Sequence, residues 1–449
     1  MKLWCELAWL GGERPQSGVV IEIEGGRIAA ISPDVSAPPS GSERIAGLVI
    51  PGIANAHSHA FQRALRGRTH GSSSRGSFWT WRDQMYALAE SITPDAMHSL
   101  TRATFAEMAL AGVTVVGEFH YLHHDRGGAR YSDPNEMGLA VARAAREVGL
   151  RLTLLDTCYL HGGVGAAAEG PQLRFCDADA DDWRGRADRL VEALGSSEEC
   201  ARVGAAIHSM RAVDPASAEI VAGWTADRAA PLHAHVSEQP AENDACMEAY
   251  SASPTELLHR AGALSPRFTA VHATHVSARD VGLLGGARTC CCLCPTTERD
   301  LADGVGPARA LDDAGVRLAL GTDSNAIIEP LEEARAVELD ERLVTGVRGN
   351  HDARALLAIA TRGGYESLGW AEGGSLREGG LADLVAVRLG SVRLAGTSSD
   401  DTLGALLFAG AAADVNDVVV GGEFVVRDGA HVALDVPREL RAAIAALDL

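Results

Sequence analysis

Residues 231–238 read PLHAHVSE, a short apolar run that carries two histidines and is followed by a carboxylate. In an extended strand His233 and His235 share one face, and the one nearer the carboxyl end of the strand reaches the rim beyond it. We therefore expect His235 to point to the rim and His233 to lie deeper in the fold. Glu238, three residues further on, either overhangs the rim as a proton carrier or is a solvated loop carboxylate.

Further apolar runs of this kind are spread over the middle of the chain. They alternate with helical patterns such as those of residues 94–111, 135–148 and 331–342. Eight strand–helix units in succession predict an α/β fold, a (β/α)8 barrel of the TIM type. A doubly wound open sheet competes, but no glycine-rich dinucleotide fingerprint follows the first strand. The run GSSS at residues 71–74 predicts a loop. The predicted strands are residues 48–50, 114–116, 152–155, 203–207, 231–235, 268–272, 288–292 and 317–320.

The two ends of the chain carry similar β patterns. Residues 19–24 alternate, a double-glycine turn follows, and residues 27–31 return, which is typical of a hairpin. Residues 418–426 repeat the pattern, and residues 383–387 predict one more strand. Neither end has enough strands to bury a core alone. We therefore expect residues 1–50 and 376–449 to form one composite β-sandwich domain beside a catalytic barrel of residues 51–375.

The composition excludes several classes of protein. The 449 residues are 46% hydrophobic and 22% charged, which is typical of a globular chain. The formal net charge of −20 disfavours nucleic acid and anionic membrane surfaces as partners. No apolar run approaches the roughly 20 residues that span a bilayer. Nine cysteines without a framework pattern favour a reducing, cytoplasmic location. A homodimer is compatible with such a barrel, although the sequence shows no interface signature.

Polar side chains follow the predicted strands, where a barrel places its reactive groups. His57 and His59 come after the first strand, and the i, i+2 spacing lets both imidazoles reach one ion. Imidazole suits Zn²⁺ and related transition metals. His235 and Asp323 stand at two other strand ends, so the sequence predicts a four-ligand site with room for a water.

Other polar groups leave alternatives open. His272 ends the sixth strand and is either a fifth ligand or an acid–base group. The fourth strand ends in His208 without a lysine that could bridge two ions, which favours one metal. Residues 290–294 carry four cysteines, which form a thiolate site or act as small buried hydrophobes. Arg82 and Arg211 are either solvated or anion clamps.

The ligand pattern and the split terminal domain resemble the amidohydrolase superfamily. Four longer segments are similar to its formimidoylglutamate deiminase family: NAHSHAFQRA at residues 55–64, GSFWTWR at 76–82, EFHYLHH at 118–124 and LCPTTE at 293–298. The chain departs from that family at residues 298–301, ERDL, where relatives are less charged, which leaves the role of this loop open.

The resemblance implies hydrolysis of N-formimino-L-glutamate to N-formyl-L-glutamate and ammonia, a step of histidine degradation. The arginines would supply positive potential for this small-molecule dicarboxylate inside a protein of charge −20. His272 and Asp323 would orient a water and take its proton, and Glu238 would protonate the departing nitrogen. The implied site comprises one Zn²⁺ on His57, His59, His235 and Asp323, with Gln62, Arg82, Tyr121, His208 and Arg211 against the substrate.

Two other functions compete with this interpretation. A purine or pterin deaminase of guanine type would need a flat, aromatic-lined pocket with contacts to a base edge. A non-catalytic barrel that serves as a scaffold would be expected to lose metal ligands, and here every ligand position is filled.

Overall fold

A computed structural model describes residues 1–70, 77–195 and 200–447. Within these ranges the strands form two eight-stranded sheets. The loop predicted at residues 71–74 lies outside the described residues. The strands are β1 (Lys2–Ala8), β2 (Gln16–Glu24), β3 (Arg27–Ser32), β4 (Glu43–Pro51), β5 (Ile53–Ser58), β6 (Val113–His120), β7 (Arg151–Cys158), β8 (Ala201–Ile207), β9 (Leu232–Val236), β10 (Phe268–His272), β11 (Cys290–Leu293), β12 (Arg317–Leu320), β13 (Leu384–Val387), β14 (Val415–Val420), β15 (Glu423–Arg427) and β16 (Ala430–His431).

Many helices begin at polar caps. Thr93 accepts a hydrogen bond from the Ala96 N–H at the start of the helix Pro94–Leu110. Asp214 accepts from the Ala216 and Ser217 N–H groups at the start of the helix Pro215–Arg228, and a proline follows both capping residues. None of the described helices is long and apolar enough to cross a bilayer. The helices are α1 (Phe78–Ser91), α2 (Pro94–Leu110), α3 (Glu136–Val148), α4 (Ala180–Leu194), α5 (Pro215–Arg228), α6 (Pro240–Tyr250), α7 (Pro254–Arg260), α8 (Ala278–Gly286), α9 (Pro295–Asp300), α10 (Ala308–Asp313), α11 (Pro330–Thr345), α12 (Ala353–Ala358), α13 (Gly364–Ser367), α14 (Thr402–Ala409) and α15 (Val436–Ala445).

The middle of the chain forms the predicted (β/α)8 barrel. Strands β5 to β12 pair in sequence order, and every pair is parallel. The chain just after β12 closes the ring on β5. The His59 N–H donates to the Asp323 carbonyl at 2.9 Å, and the Asp323 N–H donates to the His57 carbonyl at 3.0 Å. The carboxyl ends of all eight strands therefore meet at one rim.

The prediction for the first barrel strand was wrong. Residues 48–50 belong to β4, which pairs with β1 and β13 in the terminal sheet. The first barrel strand is β5, which follows the Pro51-Gly52 pair. Two short apolar runs separated by this turn look alike in sequence, and only their pairing partners distinguish them. The other seven predicted strands overlap β6 to β12, and the two runs at residues 268–272 and 317–320 match β10 and β12 end to end.

The terminal sheet joins both ends of the chain in the order β16-β15-β14-β13-β4-β1-β2-β3. Both predicted hairpins are present, as β2–β3 and β14–β15. The sheet folds back so that the two hairpin turns meet. The Ala382 N–H donates to the Gly26 carbonyl at 3.0 Å, and the Gly422 N–H donates to the Ala382 carbonyl at 3.1 Å. Gly26 has φ of 74°, and a side chain there would press on the Gly421 carbonyl, which explains the glycine.

Candidate active site

Four potential metal donors converge at the rim of the barrel. His57 lies near the end of β5 and His59 follows it, His235 lies on β9, and Asp323 follows β12. The Nε2 atoms of His57 and His235 are 3.2 Å apart. Asp323 Oδ1 is 3.3 Å from Nε2 of both His57 and His59. One donor atom from each residue lies within 4.8 Å of all the others.

The hydrogen bonds of two imidazoles orient them for an ion. Nδ1 of His59 donates to the Phe119 carbonyl, and Nδ1 of His235 donates to the His208 carbonyl, both at 2.9 Å. Their Nε2 lone pairs therefore face the centre beside the Asp323 carboxylate. Burial lowers the pKa of His57 to about 3, so it stays neutral. Lone pairs and a carboxylate at such distances repel unless a cation lies between them, so the cluster fits a divalent metal.

His233 lies deeper on the same strand, as expected. It is fully buried, and its Nε2 donates to the Ser367 carbonyl at 3.2 Å. Burial lowers its pKa to about 4. His233 is therefore a neutral interior histidine rather than a member of the donor cluster.

His272 stands beside the donor cluster and outside it. Its Nε2 is 3.8 Å from Asp323 Oδ2 and 3.8 Å from Glu238 Oε1. Burial acts to lower the pKa of His272, but the carboxylates of Glu238, Glu298 and Asp323 hold it well above the usual value. The structure thus favours the acid–base alternative for His272 over a fifth ligand.

Glu238 lies between His272 and Arg211. Its Oε2 is 3.9 Å from Arg211 Nη2, while its Oε1 faces His272. The side chain is buried, and burial raises the pKa of the Glu238 carboxyl. It is therefore a site carboxylate rather than a solvated one, and burial favours its protonated form.

Glu298 was given no role from the sequence, yet it holds His272 in place. Its Oε1 accepts hydrogen bonds from His272 Nδ1 at 3.2 Å and from the Cys294 N–H at 2.8 Å. This contact points Nε2 of His272 at the site. The residues of the charged segment 298–301 therefore have different roles. Glu298 orients His272, Arg299 forms surface ion pairs, and Leu301 lines the pocket.

The cysteine cluster behaves as small buried hydrophobes. Cys290, Cys292 and Cys294 pack with apolar side chains inside the barrel. Burial raises the pKa of Cys290 to about 12, and it raises the pKa of Cys294 well above the usual value. Cys294 does lie near His272 and Glu298, but those two groups are already hydrogen-bonded to each other. Nothing in the described part of the chain supports a thiolate site there.

A pocket opens directly onto the donor cluster. It contains all five residues expected to contact substrate, and Gln62 Nε2 donates to the Tyr121 hydroxyl at 2.9 Å. The guanidinium of Arg82 lies 4.6 Å from the centre of the Trp79 ring. The residues that line the pocket are His59, Gln62, Phe78, Trp81, Arg82, Met85, Tyr86, Tyr121, Tyr159, Phe175, His208, Arg211, His235, Glu238, Leu301 and Asp323.

Several polar atoms in this pocket have no partner among the described residues. They include Nε of Arg82, Nε of Arg211 and Oε1 of Gln62, all of which are buried. A buried polar atom without a hydrogen bond is costly, so the pocket is built for a polar ligand. Burial, followed by the charge of Arg211, lowers the pKa of His208 well below the usual value. The arginines therefore make the pocket attractive to anions.

The chain is similar in sequence and in structure to known hydrolases. The sequence model of the amidohydrolase family matches residues 48–425. The chain belongs to the amidohydrolase family. It is 37% identical over 436 residues to formimidoylglutamate deiminase of Pseudomonas aeruginosa, covering 94% of this chain and 93% of that protein. It is 30% identical to 8-oxoguanine deaminase of the same organism, covering 89% and 87%. The crystal structure of an amidohydrolase from Brucella melitensis superposes with a TM-score of 0.92 at 35% identity, covering 99% of both chains.

The protein is thus an amidohydrolase, a hydrolase acting on C–N bonds, and its resemblance to formimidoylglutamate deiminase is confirmed. The family and the donor cluster both indicate a divalent metal. A scaffold without catalysis is not supported, because the donors and the pocket are complete.

Part of this amidohydrolase's pocket wall depends on Arg174. This buried side chain lies at the carboxyl end of α1, the helix that carries Arg82. Its guanidinium donates to the carbonyls of Ala89, of Ile92 at 2.8 Å and of His124 at 2.9 Å. A cation at the end of a helix also stabilises the exposed carbonyl groups. Arg174 therefore ties α1 to the loop that follows β6.

We expect Arg174→Met to lower the free energy of unfolding by about 3 kcal/mol, because it leaves several buried carbonyls without donors. Urea denaturation followed by tryptophan fluorescence measures the change. Arg126→Met is the matched control, since Arg126 Nε also bonds a carbonyl at this helix end, Glu90 at 2.9 Å, but on the surface. Its expected effect is below about 1 kcal/mol. Equal losses in the two variants would contradict the role of Arg174.

Proposed function

We propose that this amidohydrolase converts N-formimino-L-glutamate and water to N-formyl-L-glutamate and ammonia in histidine degradation. The observation that carries the proposal is a pair of half-buried arginines, Arg82 and Arg211, beside a four-donor cluster. Their Nε atoms are buried and have no partner among the described residues. A dicarboxylate with a hydrolysable C–N bond satisfies both features. The similarity to formimidoylglutamate deiminase supports the same substrate.

We further propose Zn²⁺ as the metal, held by His57, His59, His235 and Asp323. Three imidazoles and one carboxylate are a donor set that suits Zn²⁺. When bound, Zn²⁺ would supply a water that is acidic enough to act as a nucleophile near neutral pH.

The carboxylate of Asp323 and the imidazole of His272 would orient that water. Asp323 turns Oδ1 toward the histidines, which leaves Oδ2 facing His272 Nε2. A water between these two atoms would be oriented by both for attack on the formimino carbon, and the ionised Asp323 carboxylate would take its proton. A C–O bond forms, and the C=N double bond becomes a single bond.

Glu238 would complete the reaction. Its position between His272 and Arg211 would put it within reach of both the attacking water and the bound substrate. From there its carboxyl would deliver a proton to the formimino nitrogen, so that the C–N bond breaks with ammonia as the leaving group. The added oxygen would then become the formyl carbonyl, and its hydroxyl proton would return to Glu238. Arg82, Arg211, Tyr121, His208 and Gln62 would meanwhile hold the two carboxylates by charge-assisted hydrogen bonds.

Ammonia release by the metal-loaded protein tests the proposal. N-formimino-L-glutamate, N-formyl-L-glutamate, guanine and 8-oxoguanine would be compared side by side. We expect release from the formimino compound alone. Release from a purine alone would support the assignment of the metal site but contradict N-formimino-L-glutamate as the substrate.

The role of Arg211 gives a separate prediction. Arg211→Ala should lower kcat/KM for N-formimino-L-glutamate by about 100-fold, chiefly through KM, because one carboxylate loses its cationic partner. Steady-state kinetics measures the change. Arg260→Ala is a suitable control, since Arg260 lies on the surface of α7 beside Glu256. An unchanged kcat/KM in Arg211→Ala would remove this residue from the substrate site.

A further inference from the structure

One wall of the pocket carries two tyrosines that share a single amide partner. Tyr86 lies on α1, and Tyr159 follows β7 directly. Gln172 Nε2 is 3.1 Å from the Tyr86 hydroxyl and 3.3 Å from the Tyr159 hydroxyl. Gln172 belongs to a short 3-10 helix, Gly170–Arg174, behind the pocket. Sequence patterns gave none of these residues a role.

Two backbone groups fix the orientation of the Gln172 amide. Its Oε1 accepts from the Glu169 N–H at 3.2 Å, and its Nε2 donates to the Gly162 carbonyl at 3.2 Å. An N–H cannot accept and a carbonyl cannot donate, so the amide cannot be reversed without losing both bonds. One N–H of the amide is thus committed to Gly162, and the other faces the tyrosines, whose two hydroxyl oxygens can only accept from it.

This arrangement constrains the hydroxyl protons. Neither tyrosine can donate to Gln172, because its amide nitrogen is a donor. One hydroxyl can donate to the other, so at least one hydroxyl proton remains available to a group in the pocket. Both rings line that pocket. The Arg82 guanidinium lies 5.3 Å from the Tyr86 ring, and the His208 ring lies 4.5 Å from that of Tyr159. The wall therefore offers donors and positive charge together.

We infer that the hydroxyls of Tyr86 and Tyr159 bind one carboxylate of the substrate, and that Gln172 is a positioning residue that makes them donors. A carboxylate accepts on both oxygens and donates nothing, so it matches a wall of this polarity. The inference deepens the proposed function and rests on it for the identity of the dicarboxylate. It also predicts selectivity for an acid over the corresponding amide, whose NH2 group would meet donors.

Binding and turnover of the metal-loaded full chain test the inference. The variants are Tyr86→Phe, Tyr159→Phe and their combination, which remove only hydroxyls. Tyr131→Phe is the control, because that hydroxyl accepts from Arg174 outside the pocket. We expect the combined variant to bind glutarate about tenfold to 100-fold more weakly by calorimetry, and the control to be unchanged. Equal glutarate affinity in the wild type and the combined variant would overturn the inference.

Substrate analogues separate a contact from a packing effect. Compounds lacking either the α-carboxylate or the γ-carboxylate of N-formimino-L-glutamate would be compared with the parent. The combined variant should raise KM for the parent and for one analogue, and have little effect on the analogue that lacks the bound carboxylate. An equal loss on all three compounds would mean a structural role and contradict the inference.

Gln172→Glu tests the positioning role, because a carboxylate there would take the tyrosine protons. It should weaken glutarate binding as much as the combined variant does, and add nothing to that variant. Full additivity would reject the role of Gln172. The proposed function is judged separately, by turnover of N-formimino-L-glutamate in the wild type. Glutarate binding remains decisive for the tyrosines even if that turnover is absent.

Discussion

Asp323→Asn should lower kcat/KM for N-formimino-L-glutamate by about four orders of magnitude and should also reduce bound metal. The residue contributes twice, because Oδ1 contacts His57 and His59 while Oδ2 faces His272. Burial acts to raise the pKa of Asp323, but the hydrogen bond from His57 and the charge of His272 hold it well below the usual value. The group is thus ionised at neutral pH. An amide removes a ligand charge and a proton acceptor together.

Metal analysis and steady-state kinetics on the same preparation measure both parts of this prediction. Asp303→Asn is the matched control. Asp303 is another buried acid near the site, and burial, followed by the charge of Glu238, raises its pKa well above the usual range. Its replacement by an amide exchanges one neutral group for another, so activity should be largely retained. Wild-type turnover and full metal content in Asp323→Asn would refute the assignment of this aspartate.

Glu238→Gln should lower kcat by about 100-fold to 10,000-fold while the metal stays bound. Glu238 is not among the four donors, but its carboxyl lies 3.8 Å from His272 and 3.9 Å from Arg211. A glutamine retains the shape and some of the hydrogen bonds but cannot carry a proton. The loss should therefore fall on turnover more than on KM, in contrast to Arg211→Ala.

Measuring metal content with kcat and KM distinguishes this variant from Asp323→Asn. Glu242→Gln serves as the control, since Glu242 is also buried, in the first turn of α6, and burial raises its pKa to about 7. We expect that variant to retain most of its turnover. If Glu238→Gln kept the wild-type kcat, the proton would have to reach the leaving nitrogen by another route.

The comparison between sequence and structure shows what local patterns can decide. Residues 268–272 and 317–320 were predicted end to end, because each is a short apolar run with turn residues on both sides. Residues 48–50 have the same local character but lie in the other sheet, since their partners β1 and β13 come from opposite ends of the chain. Strand pairing over such distances is not encoded in a local window.

The same distinction applies to the site. The His57 and His59 pair, with His235 and Asp323, could be predicted because strand ends in a barrel share one rim. Gln172 and Tyr86 could not, because the first depends on a 3-10 helix behind the pocket and the second on the orientation of α1. Those placements depend on packing between segments that no spacing rule connects.

The seam of the barrel has a consequence for how the site is assembled. The backbone hydrogen bonds that join the first strand to the last are made by His57, His59 and Asp323 themselves. Asn325 reinforces the seam, donating to the Ser58 hydroxyl at 3.2 Å and to the His59 carbonyl at 3.1 Å. An ion held by these side chains would span the junction between the first and the last barrel strand. By mass action, binding of an ion at this junction would stabilise the closed barrel, and closure of the barrel would in turn favour binding of the ion.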